Sequence, residues 1–313
     1  MLKRIYRKFD RLEQIARFAN EAKNGRHYLA DDDTILTTLY TGQIIAVDRR
    51  DISLTPHLVL KGEWEMELTR ICELVIQRVS APIILDIGAN VGWYGLVLSR
   101  FTPSSTVHFF EANPTLTKLL SKSVLVNGLA LRSTINHNAV SNESGQSLTL
   151  AIPEMHKGSA STREFNIDLS LFHEESSAIQ RIKVPTISID DFCLNKSLPT
   201  VDFMKIDVEG AEEHVLLGSQ DTIRSSESLV IMMEWNRGQY SPDLLAILKM
   251  FSWCGCLGDD GSWQDFSEEL HMAESVMCFE EMVASRAGQS RRHFDLFFGK
   301  KKSVAQMVRK TFT

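Results

Sequence analysis

The 313-residue chain has no run of about 18 consecutive apolar residues, so it offers no candidate transmembrane helix. The start, Met1-Leu2-Lys3-Arg4-Ile5-Tyr6-Arg7-Lys8, is basic like the head of a secretory signal, but no apolar core follows and a leader is not expected. Cysteine is scarce: five residues, Cys72, Cys193, Cys254, Cys256 and Cys278, odd in number and scattered. Cys254-Gly-Cys256 has one intervening residue, not the two of a zinc knuckle or a thioredoxin motif. They read as reduced, partly buried thiols of a cytoplasmic protein. Basic charge is also in deficit: 34 Lys and Arg against 40 Asp and Glu give a net charge of −6, which argues against nucleic acid as a partner because phosphate neutralisation supplies most of that affinity. No internal repeat occurs. With 43% apolar and 24% charged residues the composition is that of a globular protein, long enough for one large α/β domain with additions or for two small domains.

What is present is a change of pattern near residue 83. Before it, residues 2–19 carry a helical apolar stripe opposite Lys3, Arg4, Arg7, Lys8 and Arg11. Short strands are predicted at Ile35–Leu39 and Gln43–Val47, and a helix at Leu68–Val79 that stops before Pro82. From Ile83 onward, short fully apolar strands alternate with helices: strands at Ile83–Leu85, Val107–Phe110, Thr134–Val140, Ser147–Ile152, Ile182–Ile189, Val201–Ile206 and Leu229–Met233, and helices at Trp93–Phe101, from Pro114 to Asn127, at Ala211–Leu217 and at Pro242–Phe251. Asp190 or Asp191 is the expected cap of a further short helix. Phe294–Phe298 is the last predicted strand, and residues 300–313 read as a basic tail. Strands buried on both faces belong to a parallel sheet, and the alternation over 83–251 predicts a doubly wound one. Such sheets bind ligands at the carboxyl ends of their strands. Those ends carry Asp86, Glu111, Asn138, Asp207 and Glu234.

Three segments carry chemistry. Asp86-Ile87-Gly88-Ala89-Asn90-Val91-Gly92 is a strand end followed by a glycine turn. It fails the dinucleotide fingerprint, because Asn90 stands where the second glycine belongs. Asp86 would repel a pyrophosphate and attract an ammonium group, which favours S-adenosylmethionine, a cofactor with an ammonium, a sulfonium and no phosphate. Glu111, in Phe110-Glu111-Ala112-Asn113-Pro114, falls 19 residues after Gly92 at the next strand end, where a carboxylate accepts ribose hydroxyls. Lys205, Asp207 and Glu209 lie two residues apart and share one face of an extended strand. The plain alternative for this group is a structural network in which Lys205 pairs with a carboxylate and Glu209 caps the helix near Gly210.

DIGANVG, FFEANP, NAVSNESG and above all VDFMKIDVEGAEEHVLLG together resemble the FkbM family of S-adenosylmethionine-dependent methyltransferases. The resemblance spans about residues 60–240 and the strand at Phe294–Phe298. It implies the class I methyltransferase fold, α/β and Rossmann-like: a seven-stranded, mostly parallel sheet with one antiparallel strand and helices on both faces. It implies O-methylation of a sugar, glycan or other natural-product hydroxyl. Carried onto this chain, Asp86, Gly88, Asn90 and Gly92 would line the methionine part of the cofactor, Glu111 would hold its ribose, and Asn138 would stand at the adenine, where the fold often has an acidic residue.

On this reading residues 1–75 are an N-terminal extension, 76–299 the methyltransferase domain and 300–313 the tail. Asp207 and Glu209 are the catalytic candidates. Asp207 ranks first as the base because it directly ends a buried strand. Glu234, Asn236 and Lys205 are the candidates for contact with the acceptor. Asp207, Glu209 and Glu234 are a carboxylate set of the kind Mg²⁺ takes, but no sequence-local metal motif exists and metal dependence is not the expectation. His214 reads as a surface or core histidine rather than a second base. The polar stretch 153–165 reads either as a lid over the acceptor or as a disordered loop. The basic ends, a helix and a tail, read as packed on the core or on a dimer partner, or as contacts with an anionic membrane surface. Two rival functions remain at this level: a catalytically silent cofactor-binding scaffold, and a nicotinamide-dependent oxidoreductase, against which the failed glycine spacing argues.

Overall fold

The computed structural model describes residues 27–153, 158, 160, 161, 179–287 and 293–312. The helix expected over 2–19 lies outside them. The described chain opens with a small antiparallel sheet, β1 (His27–Leu29), β2 (Thr34–Thr38) and β3 (Ile44–Asp48). Two helices follow, α1 (Leu54–Lys61) and α2 (Met66–Ile76). Ile71, Cys72, Val75 and Ile76 form the buried stripe of α2, as the helical spacing predicts.

The Rossmann-like body then alternates: β4 (Ile83–Ile87), α3 (Trp93–Phe101), β5 (Thr106–Phe110), α4 (Pro114–Val126), β6 (Ser133–Asn136), β7 (Ala139–Val140), β8 (Ser147–Pro153), β9 (Ile179–Ile187) and α5 (Ile189–Lys196). It continues through β10 (Phe203–Ile206), α6 (Glu212–Leu217), α7 (Gln220–Ser225), β11 (Val230–Asn236), α8 (Leu244–Leu248), β12 (Trp253–Leu257), β13 (Trp263–Asp265), α9 (Ser267–Met272), α10 (Val276–Ala287), β14 (His293–Gly299) and α11 (Lys302–Thr311). The main sheet has the order β13-β12-β14-β11-β10-β4-β5-β6. Strands β11, β10, β4, β5 and β6 are parallel, and β14 is antiparallel to β11. This is the expected class I arrangement. One strand exceeds the expected seven: β13, a short antiparallel edge strand on β12. Adjacent side chains enter opposite layers, so Phe109 packs in one core cluster and Phe110 in the other. Burial of each is worth roughly 1.5–3 kcal/mol.

The single strand expected over Thr134–Val140 is split. β6 stays in the main sheet, while β7 turns into a separate sheet of order β7-β9-β8. That sheet stands over the carboxyl end of the main one and adds a wall to the cavity there. The cap of α5 is Ser188, not Asp190 or Asp191: its hydroxyl accepts from the Asp191 N–H at 3.2 Å. Asp190 instead accepts from the backbone of Asp221 and Thr222 at the start of α7.

The basic stretch after Gly299 is a helix rather than a loose tail. Ala305 and Val308 of α11 are buried, and Val304, Met307 and Phe312 pack on the core, while Lys302, Arg309 and Lys310 face outward. Its apolar stripe is therefore occupied by the protein's own core, which removes it as a membrane-lying surface. No helix among the described residues is long and apolar enough to cross a membrane. None of the five cysteines is in a disulfide, and four of them are buried.

Candidate functional site

Five strand ends meet the loops that follow them around one cavity of about 340 Å³. Gly88, Asn90, Glu111, Asn138, Asp207, Glu209 and Glu234 line it, all singled out by the sequence reading.

The glycine loop is shaped by the backbone. The N–H groups of Gly88 and Ala89 both donate to the Phe110 carbonyl, at 3.0 and 2.9 Å, turning the chain sharply off β4. Gly88, Asn90 and Gly92 have φ of +70°, +53° and +93°. At Gly88 glycine is obligatory, because a Cβ there would stand 1.7 Å from the Asp207 carbonyl oxygen. Gly92 does not reach the cavity; it stands at the start of α3, against Leu120.

Glu111 is the clamp of this loop. One carboxylate oxygen accepts the Asn90 N–H and the other the Asn113 N–H, both at 2.7 Å. Burial pushes its pKa up to about 7 from 4.5, against these two bonds, which pull it down. The sign follows directly. The folded value exceeds the unfolded one, so this contribution to stability is full below about 4.5 and is lost as pH rises through about 7. The ligand-free protein is accordingly expected to melt at a higher temperature at pH 6 than at pH 8. Glu111→Gln should narrow that gap in scanning calorimetry; an unchanged gap would assign the effect to other carboxylates.

Asp86 corrects the sequence reading. It does not line the cavity but is buried behind the loop, where one oxygen accepts the Gly95 N–H at 2.8 Å. The other oxygen finds no hydrogen-bond partner among the described residues. Burial pushes its pKa up to about 6, opposed by Lys205 and the Gly95 bond. Asp86 thus braces α3 under the loop and contributes negative field to the cavity from behind.

Lys205 likewise stands behind the wall. It donates to the Gly88 carbonyl at 2.7 Å and pairs with Asp207 at 3.2 Å. Burial alone would lower its pKa, but the charges of Asp207 and Asp86 more than reverse this and hold it protonated. Asp207 itself is fixed by its N–H to the Ile87 carbonyl at 3.1 Å.

Glu209 sits in the left-handed region at φ +54°, and Ser161 donates to its carbonyl at 2.8 Å. The helix bracing expected of Glu209 belongs to Glu212. The Glu212 carboxylate accepts from Val208 N–H at 3.1 Å and Gly210 N–H at 3.0 Å, and α6 begins at Glu212 itself. Glu209 is thereby left on the cavity wall. Burial first, then the charges of Asp207 and Glu212, push its pKa upward; Glu234 is raised in the same way by burial and by Asp207 and Glu209. Asn236 is not on the wall but donates to Glu234 at 3.0 Å. Trp235 is a core residue, packed on Tyr240 and bonded to Glu280 at 2.9 Å. His214 does not line the cavity. Among the described residues no three His, Cys, Asp or Glu side chains converge as a metal-ligand set.

The other end of the cavity is apolar: Phe110, Ala112, Ala139, Val140 and Leu150, with Asn138 half-buried among them. Sequence reasoning missed that end, because it depends on β7 leaving the main sheet. It also missed Ser53, Leu54, Trp64 and Glu65, which close the cavity from the N-terminal region and belong to no motif. Gly158 and Ala160, from the polar stretch beyond β8, also line the wall. The described lining contains five carboxylates and no lysine or arginine. That set suits a cofactor with cationic groups and no phosphate. A cavity that joins apolar lining to a wall of carboxylates without a basic side chain agrees with S-adenosylmethionine.

The comparisons with known proteins reach the same point. Residues 86–256, more than half of the chain, match the model of the methyltransferase FkbM domain. "Methyltransferase sdnD" of Sordaria araneosa is 24% identical over 234 residues, 67% of this chain and 88% of that protein. "31-O-demethyl-FK506 methyltransferase FkbM" of Streptomyces tacrolimicus is 25% identical over 158 residues, 44% of this chain and 60% of that protein. "2-O-methyltransferase NoeI" of Sinorhizobium fredii (strain NBRC 101917 / NGR234) is 24% identical over 152 residues, 45% of this chain and 59% of that protein. With the matched domain falling on the glycine loop, the Glu111 clamp and the Lys205–Glu209 strand end, the chain belongs to the FkbM methyltransferase family and uses S-adenosylmethionine as its cofactor.

Proposed function

We propose that this methyltransferase transfers the methyl group to a hydroxyl of a sugar, a glycan or another natural-product acceptor. The observation that carries the reading is the placement of Glu209 and Glu234 on the cavity wall beside Asp207. A hydroxyl loses its proton as it takes up a methyl group, and a carboxylate within reach can accept that proton. Two of the relatives above are named for O-methylation or O-demethylated substrates, which supports the same class.

The cofactor supplies an electrophilic methyl on a sulfonium, which leaves as a thioether. The chain's own residues do the rest. Glu111 and the apolar end hold the nucleoside, the Asp207–Lys205 pair fixes the strand end, and the cavity positions the acceptor oxygen and excludes water. Glu209 accepts the proton. Asp207 is held in an ion pair with Lys205, and the raised pKa of Glu209 suits it to the role of base. This reverses the order expected from sequence. On this reading the extension, through Ser53, Leu54, Trp64 and Glu65, completes the cavity of the domain over 76–299.

The test is methyl transfer to a panel of neutral glycosides and polyol or macrolide alcohols, read by mass spectrometry. A product heavier by one methylene, with the label on oxygen, is the expected outcome. Transfer only to nitrogen, sulfur or carbon would overturn the reading.

A further inference from the structure

Glu65 lies outside the matched domain, 21 residues before its start, and yet lines the cavity. Three features set it apart from a surface glutamate. It directly precedes α2 with φ +42°, a left-handed conformation that L-residues adopt rarely and that clusters at functional sites. Its carboxylate is oriented by the Tyr94 hydroxyl, which donates to it at 2.7 Å from the first turn of α3. Its charge is felt by the same group of residues that surrounds Gly88. Asp207 and Lys205 act on it electrostatically, the first raising and the second lowering its pKa, and Lys205 in turn holds the Gly88 carbonyl. Glu65 is exposed at the cavity, yet the protein packed around its carboxylate, and then the charge of Asp207, raise its pKa, a cost that a cation beside it would offset.

The cavity therefore has a direction. The strand order β10-β4-β5-β6 sets Asp207, Gly88, Glu111 and Asn138 along the sheet edge, with the apolar lining of β7 and β8 beyond β6, and Glu65 interacts electrostatically with Asp207 and Lys205 at the β10 side. A nucleoside with its base against that apolar lining and its ribose on Glu111 brings its amino-acid arm to the β10 side.

We propose that Glu65 is a cofactor-binding residue, the counter-ion for the α-ammonium of S-adenosylmethionine, supplied by the N-terminal extension. The proposal rests on the cofactor assignment above. Its consequence is that the matched domain alone has an incomplete cofactor site.

The test uses two nucleosides and the full chain. S-adenosylhomocysteine carries the amino-acid arm; 5′-methylthioadenosine has the same base, ribose and sulfur without it. In calorimetry, Glu65→Gln keeps the side chain's shape and removes its charge. S-adenosylhomocysteine should bind about tenfold or more weakly, as for loss of a charge-assisted hydrogen bond, while 5′-methylthioadenosine binds as to the wild type. Unchanged affinity for S-adenosylhomocysteine, or an equal loss for both nucleosides, overturns the proposal. If Glu65→Gln does not fold, Tyr94→Phe releases the carboxylate from its orienting bond and makes the same comparison: a several-fold loss confined to S-adenosylhomocysteine supports the proposal, and a parallel loss overturns it. A wild-type protein that binds neither nucleoside would instead reject the cofactor assignment, and this proposal with it.

Discussion

Glu209→Gln is expected to lower kcat by about 10²–10⁴-fold, the range typical of a lost general base, with cofactor affinity little changed. The amide keeps the size of the side chain, and the Ser161 bond to the Glu209 carbonyl is a backbone contact the substitution does not touch. The pH dependence should change as well. Burial and the charges of Asp207 and Glu212 raise the pKa of Glu209 above its ordinary 4.5. A base works ionised, so the wild-type rate should climb with pH along a limb displaced above the ordinary carboxylate range. That limb should vanish in Glu209→Gln. The charge of Glu209 raises Glu234 in turn, so the two titrate as a pair, and Glu234→Gln should leave turnover in place. Asp207→Asn separates the roles. It breaks the ion pair with Lys205 at 3.2 Å and leaves a buried cation short of a partner. It should therefore weaken cofactor binding and stability, while the pH limb persists. If Asp207→Asn removes the limb and Glu209→Gln turns over at the wild-type rate, the base is Asp207.

The exchange of roles between Glu209 and Glu212 shows where the sequence stops being readable. In Asp207-Val208-Glu209-Gly210-Ala211-Glu212, any of three carboxylates can brace the turn. Only the backbone decides. With Glu209 and Gly210 both at positive φ, the chain curls so that Glu212 reaches back to the Val208 and Gly210 N–H groups. A period-two reading of an extended strand cannot foresee two consecutive left-handed residues. Asp86 fails for a related reason. Its position near the end of β4 was legible, but its burial between Phe109 of β5 and Lys205 of β10, with its carboxylate on the Gly95 N–H, is set by the sheet pairing and the packing of α3.

The central strands were legible because burial on both faces leaves a plain signature, an uninterrupted apolar run. β4, β5, β10 and β11 are found within two or three residues of their expected bounds. β13 and the separation of β7 from β6 were not legible, since short edge strands carry little apolar pattern. The N-terminal wall of the cavity was silent for a different reason. Trp64 and Glu65 look like any pair ahead of a helix, and their place on the cavity wall follows from how α1 and α2 pack, a long-range property. The residues that define the family lie on the strand ends; those that complete the cavity arrive from elsewhere in the chain.

The second large effect concerns backbone rather than charge. Gly88→Ala is expected to abolish measurable cofactor binding and to destabilise the fold by about 3 kcal/mol or more. Two costs add. The first is conformational: φ is +70°, and an L-residue there is strained by roughly 1–2 kcal/mol. The second is steric, and it decides the outcome. The new Cβ would lie 1.7 Å from the Asp207 carbonyl oxygen and 2.8 Å from its carbon. Both are backbone atoms, so no rotamer change relieves the clash. β4 and β10 are neighbours in the sheet, paired from Phe203 with Ile84 to Ile206 with Ile87, and relief requires parting their ends. That movement displaces Asp207 and the Gly88 carbonyl that Lys205 holds. Gly128→Ala is the control, because Gly128 has φ +68° but nothing within 4 Å of the added atom. It isolates the conformational cost, about 1–2 kcal/mol, and should leave cofactor binding untouched. Denaturant unfolding and calorimetry on both variants give the comparison. A Gly88→Ala protein no less stable than Gly128→Ala, and binding the cofactor normally, would show that the contact between these two strand ends does not hold the site together.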